Sequence, residues 1–232
     1  MVMLKNLDAI GEQTINRIAT AALASQMKEA ESFDVSVKVD PQELSQGTVS
    51  SFTMEGKNVV TSQGFRATHF SLMIEDISVN PFKALMGNIK LRQPALGSAL
   101  LGISPADLED ALFRNLRESQ KSFALDRLEC RFTAANQINI AAAVFGETLS
   151  VDLLVGFDVN QKMIATQSVE ISSDDEQFSE FTTELQDYLL ELLNLNSLVI
   201  SGLEFTPQSL KVTDEKLELV AITKITSFPK AI

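Results

Sequence analysis

The chain has 232 residues, 45% of them hydrophobic and 22% charged, and this composition provides for a sizeable buried core. Its net charge of −12 argues against nucleic acid as a partner, because phosphate binding needs clustered lysine and arginine. No apolar run approaches the roughly 18 residues of a membrane span, and residues 1–30 lack the pattern of a secretory signal, so we expect a cytoplasmic protein.

The N-terminal segment, residues 1–30, is predicted to form an amphipathic helix. Its apolar residues recur at steps of three and four, as they do on one face of a helix. They include Leu4, Leu7, Ile10, Ile18, Ala22 and Leu23. We expect this helix to pack on the sheet that the following segments form.

Alternation of apolar and polar residues predicts strands after this helix. The first such run has the apolar positions Phe33, Val35, Val37 and Val39. This period is typical of an antiparallel sheet with one solvated face. Longer strands are predicted at 48–60 and 65–79, and in each the apolar positions change parity partway. A parity change indicates a β-bulge, and long bulged strands predict a strongly curved sheet.

Four more extended segments follow. Residues 89–101 contain Pro94, which predicts an edge strand or an irregular stretch, because proline cannot donate a ladder hydrogen bond. Apolar residues alternate again through 128–134, 138–144 and 149–157. The chain is therefore predicted to be one domain, 1–232, of the α+β class with a mainly antiparallel sheet.

Helix starts are predicted where a capping residue precedes a proline or an acidic first turn. Ser104 begins a helix at 105–116, and Ser173 begins one at 174–193. The pairs Asp40-Pro41, Asn80-Pro81 and Thr206-Pro207 predict helices or helical turns as well.

Residues that carry common chemistries are scarce. The one histidine, His69, lies in a predicted strand, and the one cysteine, Cys130, lies among alternating apolar positions. These two cannot assemble a multi-histidine or cysteine-rich zinc site. No glycine-rich phosphate loop and no nucleophile elbow is present. We therefore predict a binding protein with no catalytic residues, cofactor or metal, and rank an enzyme third among the alternatives.

The chain resembles the LmeA-like phospholipid-binding family of bacterial proteins over residues 32–228. The features that carry the resemblance are Val-Ser-Val-Lys-Val at 35–39, the segments 47–56, 65–74 and 80–87, Lys-Leu-Arg-Gln-Pro at 90–94, the segment 103–108, and Leu193-Asn194-Leu195. The resemblance implies a fold similar to the tubular lipid-binding superfamily, in which a highly curved antiparallel sheet wraps a long helix. It also implies that phospholipid is held in the apolar interior.

The resemblance leads to a predicted site between the curved sheet and the N-terminal helix. The residues expected to contact acyl chains are Val35, Val37, Phe52, Met54, Phe70 and Leu72. The residues expected to contact the headgroup are Lys83, Lys90, Arg92, Arg114 and Arg117. The expected partner is phospholipid or another acyl-chain ligand, with a peripheral membrane contact as a further expectation. Secreted relatives carry a signal or an anchor, whereas this chain has the amphipathic segment 1–30 instead.

Two alternatives stay open at this stage. The same apolar alternation is what a closed core needs, so the interior can be filled by the protein's own side chains. In that case residues 163–210, which hold nine acidic residues and no basic one, form an acidic face that docks a basic protein partner.

Overall fold

In the computed structural model, the residues described are 27–61, 64–80, 90–119, 123–133, 136–173 and 176–227, together with Thr20 and Lys83. Three helices lie in these ranges: α1 (Pro41–Gln46), α2 (Pro105–Glu118) and α3 (Gln177–Leu193). None of the helices described is long and apolar enough to cross a membrane.

The larger of two sheets contains seven strands. They are β1 (Met27–Glu29), β2 (Ser32–Lys38), β3 (Thr48–Thr61), β4 (Arg66–Ser78), β5 (Ala95–Ile103), β10 (Leu203–Val212) and β11 (Leu217–Ile225). Their order is β1-β3-β4-β5-β11-β10, and β2 pairs with the same edge of β3 as β1 does.

The smaller sheet is a four-stranded meander. Its strands are β6 (Leu125–Thr133), β7 (Gln137–Val144), β8 (Glu147–Asp158) and β9 (Met163–Ile171), in that order. Every strand pairing within the described ranges is antiparallel, which confirms the predicted α+β class. The inward residues of both sheets, with those of α2 and α3, belong to one hydrophobic cluster.

The parity changes predicted in β3 and β4 are present, but their cause is not an inserted residue. The β3–β4 ladder keeps a single register from Thr48 to Val60. Both strands switch faces together at two places along the ladder, and each place has one residue with a positive φ angle, Asn58 on β3 (48°) and Asp76 on β4 (52°). A bulge in only one strand would have put the two apolar faces out of phase, so the paired distortion keeps both on the core side.

The larger sheet curls toward its inner face. Two strands separate Phe70 on β4 from Phe205 on β10, about 14 Å across a flat sheet. Phe205 is level with Ile74, so the two rings are also four residues apart along the strands. The two ring centroids are nevertheless 6.3 Å apart, in an edge-to-face contact. At Gly97 on β5 the neighbouring strand approaches so closely that a Cβ would clash with the carbonyl oxygen of Met73. The curvature predicted from the long strands therefore exists, with glycine at a point of close approach.

Two of the five proline-based predictions need correction. Pro207 lies within β10, at a register shift between Pro207 and Ser209, and starts no helix. The regular ladder of hydrogen bonds is interrupted at this bulge, so a proline, which has no N–H to donate, is tolerated there. The segment with Pro94 begins as a strand only at Ala95, and β5 then pairs on both sides, with β4 and β11. It is therefore an interior strand, because the proline precedes its first ladder bond.

The helix caps predicted at Asp40 and Ser104 are confirmed. The Asp40 carboxylate accepts from the backbone N–H of Gln42 and of Glu43 at the start of α1. Ser104 and Asp107 form a reciprocal capping box at the start of α2. For α3 the predicted cap is wrong, because Glu176 occupies the cap position and makes no side-chain capping bond.

The predicted N-terminal helix is wrong at its C-terminal end. Residues Met27–Glu29 form β1 and pair with β3, with Met27 opposite Thr61. A strand ladder to β3 replaces the intrahelical bonds that a helix reaching residue 30 would have made. The rest of that helix, apart from Thr20, lies outside the described residues, as does the long helix that the resemblance places inside the curve of the sheet.

Candidate functional site

The six residues predicted to contact acyl chains lie together on the inner face of β2, β3 and β4. Val35 pairs with Met54, which pairs with Leu72, and this row crosses all three strands. The neighbouring row contains Val37 and Phe52. Phe70 lies one row further along β4, opposite Gly56. Alternation in sequence therefore identified a real, continuous apolar surface.

These six side chains form part of a closed core. Val35 is the most exposed of them, at 6%. Because they contact protein rather than solvent, the surface is not a preformed open groove. An acyl chain can reach it only where neighbouring atoms move aside.

A small recess lies at one end of this surface, where the β3–β4 hairpin meets the segment after α3. Its lining is Met27, Val59, Thr61, Phe65, Ala67, Phe70, Leu198 and Ile200. Among these described residues the polar side chain is that of Thr61, and its hydroxyl accepts from the backbone N–H of Phe65 at 3.1 Å. The space open to the centre of a water-sized sphere is about 10 Å³, which is room for about one water.

Sequence reasoning found Phe70 in this recess but missed Leu198 and Ile200. Both are buried, although they lie in an irregular segment between α3 and β10. Residues 198–200 show neither helical nor strand periodicity, so no sequence pattern predicted that they are buried in this recess. The sequence signal that remained was an apolar Leu-Val-Ile run directly after the last helix.

The basic residues predicted to contact a headgroup do not all lie together, although Lys83 and Lys90 are close, since Asn80 bonds the backbone of both. Arg92 donates to the carbonyl of Gln46, just before β3, at 3.4 Å. Arg114 donates to the carbonyl of Gly64, beyond the other end of β3, at 3.1 Å. These two guanidinium groups therefore flank opposite ends of a fourteen-residue strand and cannot both contact one headgroup.

The remaining three basic residues are also at the surface. The guanidinium of Arg117 lies over the ring of Phe113, 5.4 Å from its centroid. Lys83 and Lys90 are exposed. A headgroup role for any of the five remains a prediction.

The lone histidine and cysteine occupy strand positions. His69 lies on β4, opposite Lys57 on β3 and Gly102 on β5. Cys130 is buried on β6, and burial, with the nearby Glu109 carboxylate, raises the pKa of its thiol far above the usual range. The thiol therefore stays protonated at neutral pH and is a poor nucleophile. Within the described ranges, no three histidine, cysteine or acidic residues are grouped so as to hold a metal ion.

The acidic segment identified in the sequence forms a stripe on α3. Its carboxylates recur at steps of three and four, and the side chain of Glu184 is partly buried. They are Glu176, Glu180, Glu184, Asp187 and Glu191. Beside the first turns of this helix is an open surface cleft of about 400 Å³, with Phe178 and Thr182 among its lining residues.

Comparison with known proteins agrees with the apolar character of the site. A family model described as LmeA-like phospholipid-binding matches residues 7–222, nearly the whole chain. No match was found among curated proteins or among solved structures. The matched range begins at residue 7, whereas the resemblance given in the sequence analysis begins at residue 32.

Proposed function

Because the chain belongs to the LmeA-like phospholipid-binding family, we propose that it is a phospholipid-binding protein without catalytic activity, which holds acyl chains against the inner face of its larger sheet. The observation that carries this proposal is the apolar recess that contains Phe70. It joins the row of predicted contact residues to the β3–β4 hairpin end.

Apolar contact alone can supply the binding energy. Burial of one methylene is worth about 0.8 kcal/mol, so ten methylenes of an acyl chain contribute roughly 8 kcal/mol before ordering costs. This estimate requires no convergent polar groups, which fits a site where Arg92 and Arg114 lie at opposite ends of β3. Headgroup contact by Lys83, Lys90, Arg92, Arg114 or Arg117 then affects lipid preference more than affinity.

The recess must enlarge to admit a chain, and the segment 198–200 is the element that can yield. Its backbone makes short local bonds, from the N–H of Leu198 to Leu195 and from that of Val199 to Ser197. By contrast, β3 and β4 are held by ladders along their full length. Segments with few ladder bonds open at the lowest free energy, so outward movement of this segment is the proposed entry route.

Lipid binding of this kind predicts a ligand-dependent melting temperature. Full-length protein freed of lipid and titrated with a short-chain diacyl phospholipid gains about 2.7 kcal/mol at 100 times Kd. For a chain of this size we expect a rise of about 5–10 °C. Glycerophosphocholine, which has the headgroup but no acyl chains, is the matched control and is expected to cause no rise. If no phospholipid raises the melting temperature, the proposal is wrong.

The acidic stripe on α3 favours a second function, as a docking face for a basic protein partner. Its five carboxylates lie on one side of the helix, in a segment without basic residues. Binding through this face would weaken steeply with ionic strength, since exposed charges are screened within about 8–10 Å at physiological salt. Lipid binding through apolar contacts would not weaken in that way.

A further inference from the structure

Thr223 is the exceptional polar residue in the interior of the larger sheet. It is 0% exposed on β11, between Ala221 and Ile225, which also face inward. Its Oγ1 has no hydrogen-bond partner in the part of the chain that is described. The buried Thr61 and Thr182 differ, because the first accepts from Phe65 and the second donates to the carbonyl of Phe178. An unsatisfied hydroxyl in an apolar interior lowers stability, so its presence needs a reason.

The surroundings of Thr223 are unusually small. Opposite it on β5 is Gly97, and the next row pairs Ala99 with Ala221. Beside Thr223, β5 and β11 therefore carry small side chains, and β4 fills the space over Gly97, where a Cβ would lie 2.6 Å from Cγ1 of Ile74. The rings of Phe70 and Phe205 meet above this part of the sheet, since the strands that they span are β5 and β11.

Phe205 is the neighbour of Thr223 that can move toward solvent. It lies directly opposite Thr223 on β10, an end strand of the sheet order, two residues from the bulge at Pro207. It is only partly buried, whereas Phe70 is 2% exposed on an interior strand. Movement of Phe205 toward solvent would open space directly beside Thr223.

We propose that the Thr223 hydroxyl donates a hydrogen bond to an ester carbonyl of a bound phospholipid, whose acyl chain takes the place of the Phe205 ring. This inference rests on the proposed function. The ester carbonyl is the fitting partner because it is uncharged and can be buried at low cost. The phosphate is an ion, and its burial beside an alanine-lined surface would be opposed by desolvation.

Binding of ester and ether lipids tests this contact. Equilibrium affinities are measured for the full-length protein and the variants Thr223→Val and Thr223→Ser, each with a short-chain diacyl phosphatidylcholine and its diether analogue. We expect the unaltered protein to bind the diacyl lipid about fivefold more tightly than the diether lipid, which is the gain in affinity expected from one net hydrogen bond. Thr223→Ser should keep this preference. Thr223→Val should lose it and bind both lipids as the unaltered protein binds the ether.

The melting temperature of each lipid-free variant checks that folding is intact. Thr223→Val keeps the shape of the side chain and removes the unsatisfied hydroxyl, so it is expected to melt a few degrees higher. A lower melting temperature would mean that the hydroxyl already has a partner, and the inference would be wrong.

The other outcomes separate the inference from the proposed function. If both lipids bind with equal affinity, or if Thr223→Val keeps the ester preference, the Thr223 contact is wrong and phospholipid binding stands. If a free fatty acid of the same length binds as tightly as the diacyl lipid, the partner is a carboxylate and not an ester. If neither phospholipid binds, the proposed function fails and this inference fails with it.

Discussion

Replacing Asn194 with leucine is expected to lower the free energy of unfolding by about 3 kcal/mol. The Asn194 side chain is buried at the C-terminal end of α3 and contacts β9. Its Oδ1 accepts from the backbone N–H of Ile164 at 2.8 Å, and its Nδ2 donates to the carbonyls of Ile164 and Leu190, both at 2.9 Å. Leucine fills the space but leaves the buried backbone groups of Ile164 without these partners.

The matched control for this change is Asn196→Leu. Asn196 follows the same helix end but is exposed, so its replacement should change the free energy of unfolding by less than about 0.5 kcal/mol. Urea unfolding followed by circular dichroism measures both variants. Equal effects of the two substitutions would mean that the Asn194 bonds do not fasten α3 to β9.

Replacing Phe52 with alanine is expected to lower the free energy of unfolding of the lipid-free protein by about 4 kcal/mol. Phe52 is 1% exposed and lies on the inner face of β3, in the row with Val37. The size of the loss distinguishes a packed core from an open groove, since a groove residue has fewer contacts to lose.

Phe205→Ala is the control for the Phe52 substitution. Its ring is partly buried on an end strand, so we expect a smaller loss, about 1–2 kcal/mol. Denaturant unfolding of lipid-free protein gives both values. A loss below about 1 kcal/mol for Phe52→Ala would contradict the closed core described for these strands.

Much of the fold could be predicted because it depends on local patterns. Alternation in Ile138, Ile140 and Val144 identifies β7 and its buried face, and those residues are 0% exposed. The Ser104 cap was predictable too, because capping bonds join residues three positions apart. In both cases the information lies within one element.

The errors occurred where distant residues decide the local structure. Pro207 resembles a helix start, but pairing with β11 and a bulge keep it in a strand. The Met27–Glu29 segment has helical composition, but an edge of β3 is available to it. Tertiary pairing overrides weak local propensity in such places.

The candidate site was predictable in part for the same reason. Alternation placed Val35, Phe52 and Leu72 on one face correctly. It could not bring Ile200 or Phe205 to Phe70, because these contacts depend on the packing of the segment after α3 and on the curl of the sheet. The alternation also could not show that other protein atoms cover this face.

The most direct test of acyl-chain binding uses the absence of tryptophan from the chain. A single tryptophan is introduced at Phe70, in the recess, and in a second protein at Val159, which is 75% exposed in the β8–β9 turn. Each protein is titrated with a phospholipid that carries bromine on its acyl chains, and bromine quenches indole fluorescence on contact. We predict quenching of the Phe70→Trp protein, saturating with lipid, and none for Val159→Trp. Equal quenching at both positions, or none at Phe70→Trp, would contradict binding of the acyl chain inside the sheet.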